Sequence, residues 1–191
     1  MEPTEKQMTA QESLELITAM IHQAKTGIRQ KSFYFLLWGW VVALAFLGGY
    51  VLLKAGYRQP YLIWFITIPA AVLSFLYGSR VRRQSGPATQ LESIMMWSWV
   101  ALAVTVVIFI IFGRQVNYHL NALILVVSAI PTFVSGVVLR FRPMILGAIL
   151  FWIAGIVCFL VSYDWQMLVG AVAVALGYLV PGYLLKRGAG S

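Results

Sequence analysis

The sequence predicts an all-α integral membrane protein: a polytopic bundle of six transmembrane helices preceded by an N-terminal cytoplasmic amphipathic helix. Composition is the first reason, because 61% of the 191 residues are apolar and only 10% are charged, whereas a soluble domain is nearer half apolar and a quarter charged. The second reason is that the apolar residues are gathered in runs of about 20, the length at which a helix crosses the hydrocarbon layer. Lipid is therefore the expected solvent for most of this chain.

The run at residues 120–139 is the clearest of the predicted spans, because it contains no charged residue and is followed at once by the basic Arg140. Pro60 and Pro143 lie where helices are expected to begin, a position that tolerates a missing amide proton. The connections between the runs are short, so no soluble domain fits between them. The predicted spans are Phe33–Leu53, Tyr61–Tyr77, Ile94–Phe112, Leu120–Leu139, Pro143–Val161 and Trp165–Leu185.

The distribution of basic residues predicts the orientation. Eleven of the 14 Lys and Arg residues lie on the side that holds both termini, and the positive-inside rule makes that side cytoplasmic. Topology thereby accounts for the net charge of +8. No nucleic-acid partner is expected, because the basic residues are not interleaved with aromatic residues on a polar face. The basic residues of the opposite side are Lys54, Arg58 and Arg114.

Residues 1–32 are predicted to form a cytoplasmic segment with an amphipathic helix from about Ala10 to Gln30. Thr9 and Glu12 fit a capping box at its start, and apolar residues then recur at spacings of three and four, which is one helical face. The membrane surface, the bundle, a second copy or a cytoplasmic protein are all open as its partner. The spacing also fits a coiled-coil seam of two heptads. The residues predicted to bind the partner are Leu14, Ile17, Ile21 and Ile28.

Residues 33–187 are predicted to be one transmembrane domain, and residues 188–191 to be a linker or tag remnant. Three helical hairpins related by an axis along the membrane normal are one interpretation of this domain. The even-numbered spans each contain a proline followed by a small residue, so their small faces would point inward and the odd-numbered spans would face lipid. The alternative is that proline and tryptophan are simply common in membrane helices. The three prolines are Pro69, Pro131 and Pro181.

Each of these prolines deprives the carbonyl four residues earlier of its helical hydrogen bond. Three such carbonyls, if they converged, would ligate an ion or a small polar solute. Phe65, Val127 and Gly177 therefore form a candidate solute site. The alternative is a kink that eases packing, with the carbonyls satisfied locally by Thr67 or Ser128.

Small residues spaced by four indicate where helices approach closely. Intramolecular packing is one explanation of these positions, and a homo-oligomer interface is the other. The residues are Ala70, Ser74 and Gly78, then Ser128, Thr132 and Gly136, then Ala173 and Gly177.

The sequence carries little that points to chemistry. No Asp, Glu, Lys or Arg lies in the middle of a predicted span, which argues against an ion-coupled transporter. No residues have metal-ligand spacing, there is no nucleotide-binding motif, and Cys158 has no base in its own apolar run. We therefore predict no catalytic residues, no metal and no cofactor, and we do not expect an enzyme. Polar residues gather at the outer helix ends and are interpreted as hydrated interface rather than as a polar binding cap. They are His119 and Asp164, with Arg114, Asn117, Asn121 and Gln166 nearby.

Three stretches carry a family resemblance: QESLELI at residues 11–17, FLLWGW at residues 35–40 and GYLVPGYLL at residues 177–185. In these stretches and in its layout, the chain resembles a group of small bacterial six-span inner-membrane proteins that have no assigned activity. The resemblance implies a bacterial inner (plasma) membrane location. It supplies no functional residues.

The function expected from these patterns is that of a non-catalytic scaffold or regulatory membrane protein, acting through protein partners or self-association. A channel or carrier for a small neutral or weakly polar solute is the alternative. A polar cavity on the bundle axis would favour transport, whereas a filled interior with small-residue contacts would favour a scaffold.

Overall fold

A computed structural model describes residues 10–84, 89–116 and 119–188, with the backbone alone for most of residues 12–31. All the elements in these ranges are helical, as predicted. Six helices are long and apolar enough to cross a membrane, and each overlaps one predicted span. The candidate spans are Ser32–Lys54, Pro60–Val81, Gln90–Ile111, Leu120–Val138, Arg142–Leu160 and Tyr163–Gly188.

Seven α-helices and three short helical turns form the described chain. Pro60–Ile66 is a 3-10 helix that leads into α2, Gly113–Val116 is a 3-10 turn after α3, and Ala175–Leu179 is a π-helical turn between α6 and α7. The α-helices are α1 (Ala10–Lys54), α2 (Thr67–Gln84), α3 (Gln90–Ile111), α4 (Leu120–Val138), α5 (Arg142–Leu160), α6 (Tyr163–Val174) and α7 (Val180–Gly188).

Helix α1 differs most from the sequence expectation, because it runs without a break over 45 residues. A separate amphipathic helix ending near Gln30 was expected, and no helix end occurs there. No proline interrupts the stretch between Gln30 and Phe33, so nothing in the local sequence stops the helix. Just beyond, Ser32 is 1% exposed, and its hydroxyl donates to the Gly182 carbonyl at 3.1 Å. The helix is therefore fixed to α7 at the start of its own span.

Helix α3 begins at Gln90, four residues before the predicted start of its span. Thr89 and Glu92 form a capping box there: the Thr89 hydroxyl accepts from the Glu92 amide, and the Glu92 carboxylate accepts from the Thr89 amide. These two contacts satisfy amides that the first helical turn leaves free.

Helices α1, α4, α5 and α6 share the buried core. Its largest fully buried side chains include Phe46, Phe151, Met144 and Met167, so the space between these helices is filled with apolar side chains. A core of this kind is packed as densely as an organic crystal.

Helices α2 and α3 lie at the periphery. In the apolar stretch of the second span only 6% of the residues are buried, and in that of the third span none is. The corresponding shares are 44% for α4 and 50% for the sixth span. Helix α2 packs on α1 and α3 packs on α4. Pro69 is exposed while Pro131 and Pro181 are buried. The second, fourth and sixth spans therefore differ in burial, and the threefold arrangement is not confirmed.

Candidate functional site

The most connected polar group in the interior is the Tyr178 cluster, which we define as Tyr178, Thr132, Ser135 and Trp99. The Tyr178 hydroxyl lies 3.2 Å from the Thr132 hydroxyl, and the Thr132 hydroxyl lies 2.7 Å from the Ser128 carbonyl. Because a hydroxyl has one proton and the carbonyl takes that of Thr132, Tyr178 donates to Thr132. Nearby, the Trp99 indole N–H donates to the Ser135 hydroxyl at 3.1 Å.

Aromatic rings from three helices surround Tyr178. Its ring centroid lies 4.7 Å from that of Phe151, 6.0 Å from Phe35 and 6.2 Å from Trp99. Edge-to-face and tilted contacts at such distances are favourable for aromatic pairs. The Tyr178 cluster, together with the Phe35 and Phe151 rings, thus joins α1, α3, α4 and α5 to the π-helical turn. It holds no carboxylate, histidine or amine, so its chemistry is that of a packing centre rather than of acid–base catalysis.

The π-helical turn has a local cause. Pro181 has no amide proton, and just before it the Val180 N–H donates to the Ala175 carbonyl five residues back, which is the π pattern. The wide turn brings Gly177 against α5: a Cβ on Gly147 would lie 2.6 Å from the Gly177 carbonyl oxygen. Only glycine permits such an approach between two backbones.

The three carbonyls of the predicted solute site lie in different surroundings. Phe65 belongs to the 3-10 helix before α2, its side chain is exposed, and its carbonyl accepts from the Thr67 N–H. Val127 is a half-buried residue of α4, whereas Gly177 lies in the buried π-helical turn. Convergence of the three carbonyls stays a prediction. The Phe65 carbonyl is satisfied locally by the Thr67 backbone N–H, while the Thr67 hydroxyl donates to the Trp64 carbonyl at 2.7 Å.

The small residues predicted for close packing are used within the chain. A Cβ on Gly78 would lie 2.8 Å from the Tyr34 hydroxyl, and one on Gly136 would lie 2.9 Å from the Ile145 backbone nitrogen. A Cβ on Gly177 would lie 2.6 Å from the Phe151 ring. These contacts account for three of the predicted positions by intramolecular packing.

The first two hairpins each contain the same type of hydrogen bond, between a tryptophan and a serine, which the sequence analysis did not predict. The Trp38 indole donates to the Ser74 hydroxyl at 3.1 Å, as Trp99 does to Ser135 at the same distance, and each pair is separated by 36 residues. The equal spacing was the available signal. The prolines and the basic residues of the same hairpins recur at irregular spacings, so they do not reveal this equal separation.

A second polar group lies at the other ends of α4 and α6. Asn121 is 5% exposed and Gln166 is 2% exposed. Gln166 donates to the Val161 carbonyl, but its Oε1 atom and the Nδ2 atom of Asn121 have no hydrogen-bond partner among the described residues. Both residues were expected to be hydrated surface, and both are buried. At the rim, Lys54 and Asp164 form an ion pair at 2.7 Å.

An open surface groove of about 350 Å³ lies between α5 and α6 and is lined by apolar side chains such as Ile153, Trp165 and Val172. Within the described residues there is no group of three metal-ligating side chains, and the Cys158 thiol is buried. Of the predicted partner-binding residues, Leu14 has a side chain that is 64% exposed. The side chains of Ile17, Ile21 and Ile28 lie outside the described residues.

Length and composition of the helices define the class: the described residues are all-helical, and six of the helices are long and apolar enough to span a membrane, as in multi-pass membrane proteins. Comparison with protein-family models, with curated proteins and with solved structures finds no significant match. The proposals below therefore rest on the residues and contacts of this chain.

Proposed function

We propose that this chain is a non-catalytic scaffold or regulatory protein of the bacterial inner membrane, acting through self-association or through a cytoplasmic protein partner. One observation carries the proposal: α1 is a single helix whose first part, residues 10–31, precedes the first membrane span at Ser32. At 1.5 Å per residue this part is about 33 Å long. We call it the α1 extension.

The geometry of the α1 extension favours a helical partner over the lipid surface. An α-helix that continues without a break from a membrane span leaves the bilayer and cannot also lie flat on it. Ser32 ties the exit point to α7 through the Gly182 carbonyl. A partner bound to the α1 extension would therefore be held at a defined place relative to the spans.

The sequence of the α1 extension supports a second copy as that partner. The apolar positions follow the alternating three and four spacing of coiled-coil a and d positions. Two heptads are marginal for an isolated helix. However, copies inserted in one membrane with one orientation present parallel helices at high effective concentration. The seam residues are Leu14, Ile17, Ile21, Ala24 and Ile28.

Disulfide crosslinking in membranes tests this proposal. With Cys158→Ser as background, Ile21→Cys should give crosslinked dimers on oxidation, because an a position faces its equivalent in a parallel coiled coil. Gln23→Cys, on the outer face of the same turn, is the matched control and should stay monomeric. Adding Ile17→Asp should abolish the Ile21→Cys crosslink, since it buries a charge in the seam.

The outcomes separate the two partners. Crosslinks from Ile21→Cys to a different protein, abolished by Ile17→Asp, would support the cytoplasmic-partner form of the proposal. Equal crosslinking from the seam and control positions, or none to any protein, would contradict a partner-binding function of the α1 extension.

A second candidate function, binding or passage of a small neutral solute, is favoured by the buried amides of Asn121 and Gln166. Their unpaired donor and acceptor atoms would suit a solute that offers both kinds of group, because a buried polar group without a partner is costly. Light-scattering measurements on proteoliposomes with urea or glycerol test it. Flux above that of empty liposomes that is lost in Gln166→Leu would support transport. Flux equal to that of empty liposomes would contradict this second function.

A further inference from the structure

The turn between α4 and α5 has an unusual residue at its centre. Arg140 is the one non-glycine residue of the described chain with a positive φ, at 50°. The Phe141 N–H donates to the Gly136 carbonyl at 2.9 Å, and the Arg140 N–H donates to the Val137 carbonyl at 3.0 Å. This pair of bonds is the Schellman motif, in which glycine normally occupies the position of Arg140.

Arg140 therefore occupies a position where the positive φ would cost glycine less strain, and its surroundings indicate a role for its charge. Arg140 and Arg142 are both exposed, while Phe141 between them is half-buried and packs against the core. Neither arginine has an ion pair with a carboxylate in the described part of the chain.

Other basic residues lie at the same membrane level. Because the spans alternate in direction, the end of α2 and the end of α7 reach the side on which α4 ends. Arg80, Lys186 and Arg187 are exposed at those ends, again without a carboxylate partner among the described residues. The ion pair between Lys54 and Asp164 belongs to the opposite rim.

We propose that the α4–α5 turn, with Arg140 and Arg142, is a docking surface for the headgroups of anionic phospholipids. The contact of the Arg140 guanidinium with a headgroup is then the reason that an arginine occupies a position with a positive φ. Guanidinium groups form bidentate hydrogen bonds with phosphate oxygens. Phe141 anchors the turn to the core, so the two charges are presented at a constant height at the edge of the hydrocarbon layer. This inference is independent of the proposed partner of the α1 extension.

Lipid binding to the purified full chain tests the inference. We would titrate phosphatidylglycerol or phosphatidylcholine into the detergent-solubilised protein and count bound lipids by native mass spectrometry. Arg140→Gly should bind phosphatidylglycerol about fivefold more weakly, as expected for one basic residue near a membrane surface, with phosphatidylcholine binding unchanged. Arg140→Lys should retain most of the affinity. Arg58→Gly, which removes an exposed charge at the opposite rim, is the matched control and should resemble the wild type.

Thermal unfolding separates lipid binding from a purely structural role. Without anionic lipid, Arg140→Gly should unfold at a higher temperature than the wild type, because glycine relieves the strained φ. With phosphatidylglycerol that advantage should shrink, since the variant gains less from the lipid. Arg142→Gln provides a second test in which the turn conformation is untouched, and it too should lose phosphatidylglycerol affinity.

Two results would overturn the inference. One is wild-type phosphatidylglycerol affinity in both Arg140→Gly and Arg142→Gln. The other is an equal loss of affinity in Arg58→Gly, which would show that total charge matters and the position of the turn does not.

Discussion

Tyr178 and Thr132 illustrate, at the scale of single residues, how one buried hydroxyl pair links two distant parts of the chain. The pair is asymmetric. Thr132 donates to the Ser128 carbonyl and accepts from Tyr178. Removing the tyrosine hydroxyl therefore leaves Thr132 with its donated bond, whereas removing the threonine hydroxyl leaves the proton of a buried tyrosine without an acceptor.

We therefore expect Thr132→Val to destabilise the protein more than Tyr178→Phe. An orphaned buried donor costs about 1–3 kcal/mol, whereas losing one interhelical hydrogen bond in a membrane protein costs about 0.6 kcal/mol on average. Equilibrium unfolding in mixed micelles measures both. The double variant should be no less stable than Thr132→Val alone, because it removes the orphaned group as well. Equal losses for the two single variants would contradict the assigned direction of the bond.

Whole elements are held together where glycines let two helices meet. The Gly147 backbone of α5 touches the Gly177 backbone of the π-helical turn, and a Cβ on Gly147 would lie 2.6 Å from a carbonyl oxygen. Backbone cannot move aside as a flexible side chain can. The contact therefore sets how closely α5 and the sixth span approach each other.

Gly147→Ala should accordingly destabilise the fold by about 1–3 kcal/mol, the usual cost of overpacking a well-packed core. Gly113→Ala is the matched control, because a Cβ there has its nearest neighbour at 4.0 Å; it should change stability little. The midpoint of thermal unfolding in detergent measures the difference. If both alanine variants unfold at the wild-type temperature, the backbone contact does not limit the packing of α5.

Orientation is a property of the whole molecule. Short connections force successive spans to alternate in direction, so one experimentally located loop orients all six. The basic residues concentrate on the side of the chain that holds both termini, and the positive-inside rule predicts that this side is cytoplasmic.

With Cys158→Ser as background, Ser85→Cys should resist an impermeant maleimide in spheroplasts and react after permeabilisation. Gln59→Cys, in the exposed loop before α2 on the opposite side, should react in both conditions. Both outcomes follow from cytoplasmic termini. Labelling of Ser85→Cys in sealed spheroplasts would reverse the predicted topology.

The helical class and the six candidate spans are predictable from the amino-acid sequence. Those properties depend on local composition: a run of about 20 apolar residues such as 120–139 has the same length and solvent preference wherever its neighbours lie. The same locality explains the capping box at Thr89 and Glu92, whose partners are three residues apart.

Which helices form the core could not be predicted from the sequence, because burial depends on contacts between residues far apart in the chain. Pro69 and Pro131 carry the same local signal, yet one is exposed and the other buried. Gln166 was expected at the hydrated interface and is 2% exposed, with its amide donating to the Val161 carbonyl just after α5. The Trp99–Ser135 bond and the Gly147–Gly177 contact likewise join separate helices. The packing of those helices selects the two partners of each contact, and neither helix by itself identifies its partner.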